Sequence, residues 1–437
     1  MSNLSRRKFL ITASATTATA LLVHGCGGST TTSSPSPTAS PAAGTSGGDA
    51  PEVTGAKLGF IALTDCAPLV IAKEKGFFEK HGMKDVTVNK QTSWATTRDN
   101  LELGSEKGGI DGAHILTPMP YLMTAGKITK SPVPMYILAR LNTNGQGISV
   151  SNEYADLKLE AKASALKAKV DAKKAGGKKF QCAMTFPGGT HDLWMRYWLA
   201  ANGINPDTDV DLIVIPPAQM VANMETKSMD AFCVGEPWNQ RLVTKKLGYN
   251  ALTTGEMWKN HPEKSLSLRK DWVDKYPKAA KALLMAVLEA QVWCDKDENK
   301  AEMCQILSAD KYVKAPAKDI VERSKGNFDL GNGRTLKDSP LLMKFWREDA
   351  SFPFTSHDTW FLTENIRWGK LPADTDLKKL VSEVNRADLW KEAAKAIGQE
   401  AAIPKSDSRG VETFFDGVEF DPADPMAYLK SLKIKKA

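Results

Sequence analysis

Short apolar runs alternate along the chain with longer segments whose apolar residues recur at helical spacing. The apolar runs, which are typical of buried strands, are residues 57–63, 109–115, 135–139, 180–184 and 210–215. The helical segments are residues 69–80, 94–103, 191–201, 218–227 and 277–293. Strands separated by helices favour parallel α/β sheets. At this length the pattern predicts two α/β lobes around a cleft, one from about residues 56–140 and 245–437 and the other from about residues 141–244.

Three junctions between a predicted strand and the next helix are candidate walls of that cleft: residues 92–96, 185–191 and 233–238. In open α/β sheets, ligands bind beyond the carboxyl ends of the strands, where helix N-termini present free N–H groups. At the first junction, Trp94 can offer its indole N–H to the cleft. At the third junction, Gly235 and Glu236 precede a Pro-Trp pair that begins another helix.

The second junction reads Thr185-Phe-Pro-Gly-Gly-Thr-His191. Gly188 and Gly189 allow the backbone to approach a ligand closely, and Thr190 is a good N-cap. His191 then lies in the first turn of the helix, where the positive end of the helix dipole disfavours a charged imidazole. We therefore expect His191 to be a neutral hydrogen-bond donor, with a purely structural role as the alternative.

The N-terminus has the features of an export signal. The pair Arg6-Arg7 precedes an apolar stretch that is too short, and too rich in Thr and Ala, to span a membrane as a helix. Residues 5–10 resemble a twin-arginine signal. Val23-His24-Gly25-Cys26 resembles a lipobox, which predicts a signal peptide at residues 1–25 and a lipid on Cys26. Simple cleavage near Gly25 is the alternative.

The segment that follows Cys26 predicts a tether. Residues 27–49 consist almost entirely of Gly, Ser, Thr, Pro and Ala, with no charged residue before Asp49. Such a composition buries too little apolar surface to offset the entropy of ordering. We expect residues 26–55 to link a lipid anchor in the plasma membrane to a globular domain, residues 56–437, that lies outside the bilayer.

Composition limits the class of this domain. Apolar residues make up 42% of the chain, which supplies a core. The formal net charge of +7 falls to +4 without the leader, because the leader carries Arg6, Arg7 and Lys8 and no acidic residue. This excess is too mild for a nucleic-acid partner and fits a protein whose ligand is negative.

Catalytic and metal-binding signatures are missing from the sequence. The five cysteines after Cys26 form no CxxC pair and no Cys/His cluster with zinc spacing. There is no GxxxxGK[ST] loop, no GxSxG elbow and no HExxH helix. We expect buried free thiols, no metal or other cofactor, and no enzymatic activity, although twin-arginine export is common among redox enzymes that carry cofactors.

Several blocks of the sequence together resemble the cyanobacterial nitrate-binding lipoproteins of nitrate/nitrite ABC transporters. These blocks are residues 58–71, Gly76-Phe-Phe, residues 91–100, 113–120, 185–194 and 234–239, and His261-Pro-Glu-Lys264. The resemblance covers the chain beyond about residue 55, in the same order and spacing. It implies a type II-like periplasmic-binding-protein fold shaped like a C-clamp. It also implies a monomer that delivers its ligand to ABC permease and ATPase subunits.

The resemblance implies six contacts with the anion: Trp94, Gln146, His191, Gly235, Glu236 and Lys264. Most of these groups are hydrogen-bond donors, which suits nitrate because nitrate has no proton to donate. Lys264 would supply the positive charge that a partly desolvated anion needs. For Glu236, we expect the backbone N–H to contact the ligand while the carboxylate holds a neighbouring donor.

Bicarbonate is the alternative ligand, because a sister family of the same fold binds it. The resemblance implies that this sister family replaces the basic residue with a carboxylate and recruits calcium. Lys264 and His191 therefore favour nitrate, with nitrite as a second ligand. A larger organosulfonate is disfavoured, since its binding would call for a cleft of small residues with additional arginine.

Overall fold

A computed structural model describes residues 50–435, which belong to one compact unit. The strands are β1 (Lys57–Phe60), β2 (Thr87–Lys90), β3 (Gly112–Leu116), β4 (Met135–Arg140), β5 (Gln146–Ser151), β6 (Phe180–Met184), β7 (Val210–Val214), β8 (Ala231–Gly235), β9 (Gly248–Thr253), β10 (Lys264–Arg269), β11 (Phe328–Gly331), β12 (Arg334–Leu336), β13 (Glu412–Thr413) and β14 (Glu419–Phe420).

The helices begin with α1 (Ala67–Glu74), α2 (Phe77–Lys80), α3 (Trp94–Leu103), α4 (Pro118–Thr124), α5 (Ala165–Ala175), α6 (Thr190–Ala201), α7 (Met220–Glu225) and α8 (Trp238–Thr244). They continue with α9 (Lys270–Lys275), α10 (Pro277–Asp295), α11 (Lys300–Leu307), α12 (Lys318–Ser324), α13 (Thr355–Arg367), α14 (Leu377–Val384), α15 (Ala387–Ala396) and α16 (Pro425–Ser431). The predicted signal peptide, Cys26 and most of the predicted tether lie outside the described residues.

Two five-stranded sheets form the centres of two lobes. The first sheet has the order β2-β1-β3-β10-β4, in which β2, β1 and β3 are parallel and β10 is antiparallel to β3 and β4. The second has the order β7-β6-β8-β5-β9, in which β7, β6 and β8 are parallel and β5 is antiparallel to β8 and β9. The predicted two-lobed α/β class is confirmed, but each sheet is mixed rather than parallel.

The antiparallel strands follow from the two places where the chain passes between the sheets. Residues 141–145 lead from β4 to β5, and residues 254–263 lead from β9 to β10. Each connection leads into a strand that runs antiparallel to both of its neighbours, β5 in the second sheet and β10 in the first. Gln146 and Lys264 are the first residues of β5 and β10. Both of these predicted ligand contacts therefore lie where the chain has just crossed from one lobe to the other.

The division of the chain between the lobes differs from the expected one. Strand β9 pairs with β5, so the second sheet extends to residue 253 rather than ending before residue 245. Its sequence, Gly-Tyr-Asn-Ala-Leu-Thr, lacks the apolar run that would predict a buried strand. Trp360, Phe361 and Phe414 also pack in the core of the second lobe. The C-terminal part of the chain is therefore shared between the lobes.

An apolar cluster joins the two lobes in a closed arrangement. It contains Leu63 and Trp94 from the first lobe and Val234 and Trp238 from the second. The backbone N–H of Thr64 donates to the carbonyl of Glu236 at 2.7 Å, and Trp238 Nε1 donates to the carbonyl of Ala62 at 3.0 Å. Polar groups enclosed between the lobes are therefore shielded from solvent.

The cysteines of the described residues are free thiols. Cys66, Cys182, Cys233, Cys294 and Cys304 are free and buried, as predicted. Within residues 50–435, no helix combines the length and the apolar character needed to cross a bilayer. In the same range, no group of three or more His, Cys, Asp and Glu side chains has an arrangement that could hold a metal ion.

Candidate ligand-binding site

The predicted ligand contacts converge on a buried polar cluster between the lobes. We define the interlobe cluster as Asp65, His114, Gln146, His191, Glu263 and Lys264. Each of these side chains is at most 1% exposed. Trp94, Gly235 and Glu236 lie at its edge. The structure thus brings all six predicted contacts into one region, together with three ionisable residues that the sequence did not single out.

Lys264 is held between two buried carboxylates. Its Nζ lies 2.9 Å from Asp65 Oδ2 and 2.7 Å from Glu263 Oε1. Burial lowers the pKa of Lys264, but the charges of Asp65 and Glu263 outweigh burial and raise it above its ordinary value. Lys264 is therefore a permanent cation in the closed protein, and its charge is already compensated before a ligand enters.

Asp65 connects the two lobes. It lies in a 3₁₀ turn, Thr64–Cys66, directly after β1. Its carboxylate accepts from His114 Nε2 at 2.6 Å and from Gln146 Nε2 at 3.1 Å, and Gln146 belongs to the second lobe. Burial alone would raise the pKa of Asp65, but Lys264 and His114 together outweigh burial and hold that pKa well below its usual range. Asp65 is thus ionised inside a site predicted to bind an anion.

Glu263 is the second unpredicted carboxylate. Its Oε2 accepts from Trp194 Nε1 at 2.9 Å, and Oε1 accepts from the Thr190 hydroxyl and from Lys264. Burial raises the pKa of Glu263, while Lys264 and these neutral donors oppose the increase. Because donors approach both oxygens, the geometry suits the ionised form. Its pKa nevertheless lies above that of an exposed glutamate, which makes this carboxylate sensitive to any further negative charge nearby.

His191 is a neutral donor in this structure. Its Nε2 lies 2.7 Å from Gln146 Oε1, and its Nδ1 lies 2.5 Å from Thr185 Oγ1. Since an amide oxygen can only accept, Nε2 carries the hydrogen and the Thr185 hydroxyl donates to Nδ1. Burial and the charge of Lys264 hold the pKa of His191 well below its ordinary value. The neutral donor expected at the start of α6 is present, and here it donates to Gln146.

Trp94 presents an unsatisfied donor at the edge of the cluster. It is the first residue of α3, which is capped by the Ser93 side chain accepting from Thr96 N at 3.1 Å. The indole is fully buried, and Nε1 has no hydrogen-bond partner among the described residues. Its ring lies beneath Lys264 Nζ, 5.7 Å from the ring centre. A buried N–H without an acceptor is costly, so this donor indicates where an anionic ligand would be favoured.

Gly235 and Glu236 differ in part from the expectation. A side chain at Gly235 would place its Cβ 2.6 Å from Gln146 Oε1, so only glycine fits there. The Glu236 backbone N–H donates to the Gly145 carbonyl at 3.0 Å, where the chain crosses to β5. The expected free N–H at Glu236 is therefore absent from the closed structure. Its carboxylate holds neighbouring donors as expected, namely Arg323 Nη1 and Gln240 N.

The glycine pair before α6 serves packing between lobes. A Cβ on Gly189 would lie 2.6 Å from Leu116 Cδ1, and one on Gly188 would lie 2.6 Å from Asn365 Oδ1. Gly188 also has a φ of 75°, which favours glycine. These contacts account for both glycines by packing, and the approach of their backbone to a ligand stays a prediction. The glycines allow α6 to bring His191 close to the first lobe.

Comparisons with known proteins agree with this geometry. The chain matches the model of the NMT1-like family over residues 49–308. It is 65% identical to the nitrate/nitrite binding protein NrtA of Synechococcus elongatus, across 100% of this chain and 99% of that protein. The bicarbonate-binding protein CmpA of the same organism is 44% identical, across 99% of this chain and 98% of that protein.

A solved structure shows the same fold. The crystal structure of the periplasmic nitrate-binding protein NrtA from Synechocystis is 62% identical and matches with a TM-score of 0.86, over 88% of this chain and 100% of that chain. Two α/β lobes closed over a buried polar cluster define a periplasmic solute-binding protein. The chain belongs to the NMT1-like family of such proteins. The resemblance recognised in the sequence is confirmed.

Proposed function

We propose that this protein captures nitrate, and also nitrite, between its two lobes and delivers it to an ABC importer. The observation that carries the proposal is the fully buried Lys264 beside the unpaired indole N–H of Trp94. A cation and a free donor within one enclosed site suit a small anion that accepts hydrogen bonds. The relatives named for nitrate and nitrite are also more similar to this chain than those named for bicarbonate.

The ligand contacts follow from the positions of the donors. Trp94 and Lys264 from the first lobe would face Gln146 and His191 from the second, and Gly235 leaves room between them. The Glu236 N–H can reach the ligand only if it leaves the Gly145 carbonyl. An anion held by both lobes stabilises the closed state by its differential affinity for that state.

Bicarbonate remains the second candidate because of Asp65 and Glu263. Both carboxylates lie against Lys264, and either can accept a proton that bicarbonate carries. Nitrate has no such proton, so the hydrogen-bond donors alone do not distinguish the two anions. In the described residues, Lys264 and the absence of a suitable metal cluster disfavour the calcium-dependent mode expected for bicarbonate.

A calorimetric titration tests the ligand. The protein lacking residues 1–26, in which the whole compact unit is retained, would be titrated with nitrate, nitrite and bicarbonate, each with and without calcium. We expect nitrate and nitrite to bind without calcium and bicarbonate to produce no heat of binding. Calcium-dependent binding of bicarbonate, with none of nitrate, would contradict the proposal.

We also propose that the mature protein is a monomer anchored to the plasma membrane by a lipid on Cys26. Support comes from the lipobox-like residues before Cys26 and the Gly/Ser/Thr/Pro-rich segment after it. Cys26→Ser should move the protein from the membrane fraction to the soluble fraction without changing nitrate affinity. Retention of the Ser variant in the membrane would contradict the anchor, and Cys66→Ser, at a buried cysteine, serves as the control.

A further inference from the structure

The interlobe cluster contains more negative than positive formal charge. Lys264 contributes one positive charge, Asp65 and Glu263 contribute one negative charge each, and neutral His114 and His191 contribute none. These groups are shielded from solvent by both lobes. An added nitrate would leave two uncompensated negative charges in a buried site, which is strongly unfavourable. The geometry therefore requires a compensating positive charge when the anion enters.

We propose that the site binds a proton together with the anion, and that the Asp65 carboxylate sets this requirement. The inference rests on the proposed function and adds a co-ligand to it. The proton comes from solvent or buffer and is accepted by the cluster, while nitrate stays an anion. No bond within nitrate forms or breaks. The complex then has the same net charge as the empty closed protein.

Every side of the site presents a titratable or charged group. Asp65 belongs to the turn after β1, His114 to β3 and His191 to α6. His261 and Glu263 lie in the crossing that precedes β10, and Lys264 is the first residue of β10. Because these groups interact at short range, the proton belongs to the cluster as a whole and titrates with an apparent pKa. His261 is a poor acceptor, since burial lowers its pKa to about 3.

His114 is the group best placed to accept the proton, because Glu263 already accepts hydrogen bonds at both of its oxygens. His114 Nδ1 has no hydrogen-bond partner among the described residues, while its Nε2 is fixed by Asp65. The ring centres of His114 and Trp94 are 5.6 Å apart, so the two unpaired nitrogens belong to the same part of the site. Burial lowers the pKa of His114 and raises that of Glu263. A nearby anion raises the pKa of both groups and so favours proton uptake.

The sign of the pH dependence follows from linkage. Because nitrate raises the pKa of the accepting group, the complex binds more protons than the free protein between the two pKa values. Affinity is greatest below the pKa of the free cluster and falls as pH rises toward that of the complex. For one proton, Kd should increase about tenfold per pH unit in that interval.

The first test measures protons directly on the unaltered binding domain. Nitrate would be titrated calorimetrically in pairs of buffers with different ionisation enthalpies, at several pH values from about 5.5 to 8.5, around the ordinary range of histidine. We expect up to about one proton taken up per nitrate, with Kd rising toward alkaline pH. A constant Kd and no proton exchange at every pH would overturn the inference. Failure of nitrate to bind at any pH would instead contradict the proposed function.

The second test assigns the requirement to Asp65. Asp65→Asn removes one negative charge, so proton uptake should fall toward zero and Kd should become almost independent of pH. The control is Asp230→Asn. Asp230 is a buried carboxylate in the second lobe, where it pairs with Lys173 and Tyr154 and lies outside the interlobe cluster. Asp230→Asn should retain proton uptake and the pH dependence.

Unchanged proton uptake in Asp65→Asn would contradict the role of Asp65. If that variant does not fold, Glu263→Gln removes the same charge from the other side of Lys264 and should also lower the uptake. Proton uptake that persists in Glu263→Gln would then overturn the inference, because Asp65 and Glu263 contribute equally to the net charge of the cluster.

Discussion

Two buried groups of charged residues in this protein differ in net charge: the first is neutral and the second is negative. In the first, Arg140 at the end of β4 pairs with Asp358 of α13, and Asp358 also accepts from Asn385 Nδ2 at 2.7 Å. One cation there faces one anion. In the interlobe cluster, Lys264 faces both Asp65 and Glu263. Both groups are buried, so burial alone does not distinguish a structural ion pair from a ligand site.

The difference lies in what each group lacks. The Arg140–Asp358 pair ties the first lobe to a C-terminal helix, and its two charges cancel without a ligand. The interlobe cluster has an uncancelled negative charge and a neighbouring donor, Trp94 Nε1, that has no acceptor in residues 50–435. Arg140 Nε also has no acceptor in these residues, so charge balance alone separates the two groups. A balanced pair holds a fold together, whereas a cluster with an uncancelled charge is prepared to change its charge when a ligand binds. Substitutions in each group should therefore separate stability from binding.

The largest effect is expected for Lys264→Glu, which should abolish nitrate binding. At an effective dielectric constant near 20, unit charges about 4 Å apart interact by roughly 4 kcal/mol, and charge reversal doubles that swing before relaxation. Lys264→Gln should be intermediate for binding because it keeps donors without charge. Calorimetry gives the affinity, and circular dichroism establishes that the variant is folded.

The control for Lys264 is another fully buried lysine, Lys300, which pairs with Asp295 at 3.4 Å away from the site. Lys300→Gln should lower stability and leave nitrate affinity unchanged. If Lys264→Glu does not fold, Lys264→Gln with Asp65→Asn removes the buried pair together and should fold with a nitrate affinity below that of the unaltered protein. Undiminished affinity in any folded Lys264 variant would show that the positive charge comes from elsewhere.

The next effect concerns the balanced pair. Arg140→Gln leaves the Asp358 carboxylate buried without its cation, which should lower the free energy of unfolding by about 3–5 kcal/mol. Nitrate affinity of the folded fraction should remain unchanged, because Arg140 lies outside the interlobe cluster. Urea unfolding and calorimetry at a temperature where the variant is folded would measure the two quantities. A large loss of affinity with unchanged stability would reverse the roles assigned to the two groups.

A smaller effect is expected on acidification. Burial lowers the pKa of His114, His191 and His357 in the folded protein. Below about pH 6.5 the unfolded chain therefore binds more protons than the folded protein. The free energy of unfolding falls as the pH is lowered through this range, by up to about 1.4 kcal/mol per pH unit for each histidine. Nitrate should reduce this loss for the two histidines of the interlobe cluster but not for His357, beside Asp358.

Thermal unfolding from about pH 7.5 to 5, across the ordinary histidine range, with and without saturating nitrate, would measure this difference. The control is His357→Gln, which should lower the pH dependence equally with and without nitrate. An identical pH dependence in the presence and absence of nitrate would show that the interlobe histidines do not respond to the ligand.

Much of the fold was accessible from sequence periodicity. Helix α3 and strand β6 have the predicted bounds, and α6 begins one residue earlier than predicted. The predicted helix over residues 69–80 is two helices, because Gly76 has a φ of 72° and interrupts it. Strands β5, β9 and β10 were not predicted. Their sequences mix polar and apolar residues, since these strands carry site residues or neighbour them.

Only part of the site could be predicted from local sequence patterns. Trp94 and His191 lie at strand-to-helix junctions, which hydrophobic periodicity can locate. Asp65 and Glu263 were missed, although Glu263 is adjacent to Lys264 and Asp65 follows the first strand. Because a carboxylate repels an anion, neither residue was expected beside a predicted anion site. Both carboxylates are explained by their contacts with Lys264, which lies between them in the structure.

The smallest effect concerns the unpaired donor at the edge of the interlobe cluster. Trp94→Phe removes the indole N–H but keeps an aromatic ring in the apolar cluster between the lobes. Because Nε1 has no partner in the described part of the chain, stability without nitrate should change mainly through the smaller ring. Nitrate affinity should fall by about 1.5 kcal/mol, the lower end of what a hydrogen bond to a charged acceptor contributes.

The matched control for Trp94 is Trp198, whose Nε1 donates to the Glu160 carbonyl at 3.1 Å within the second lobe. Trp198→Phe breaks an existing hydrogen bond, so it should lower the free energy of unfolding and leave nitrate affinity unchanged. The two variants together form a crossed test measured by calorimetry and urea unfolding. If both variants lower the free energy of unfolding and neither lowers nitrate affinity, the unpaired N–H of Trp94 does not contact the ligand.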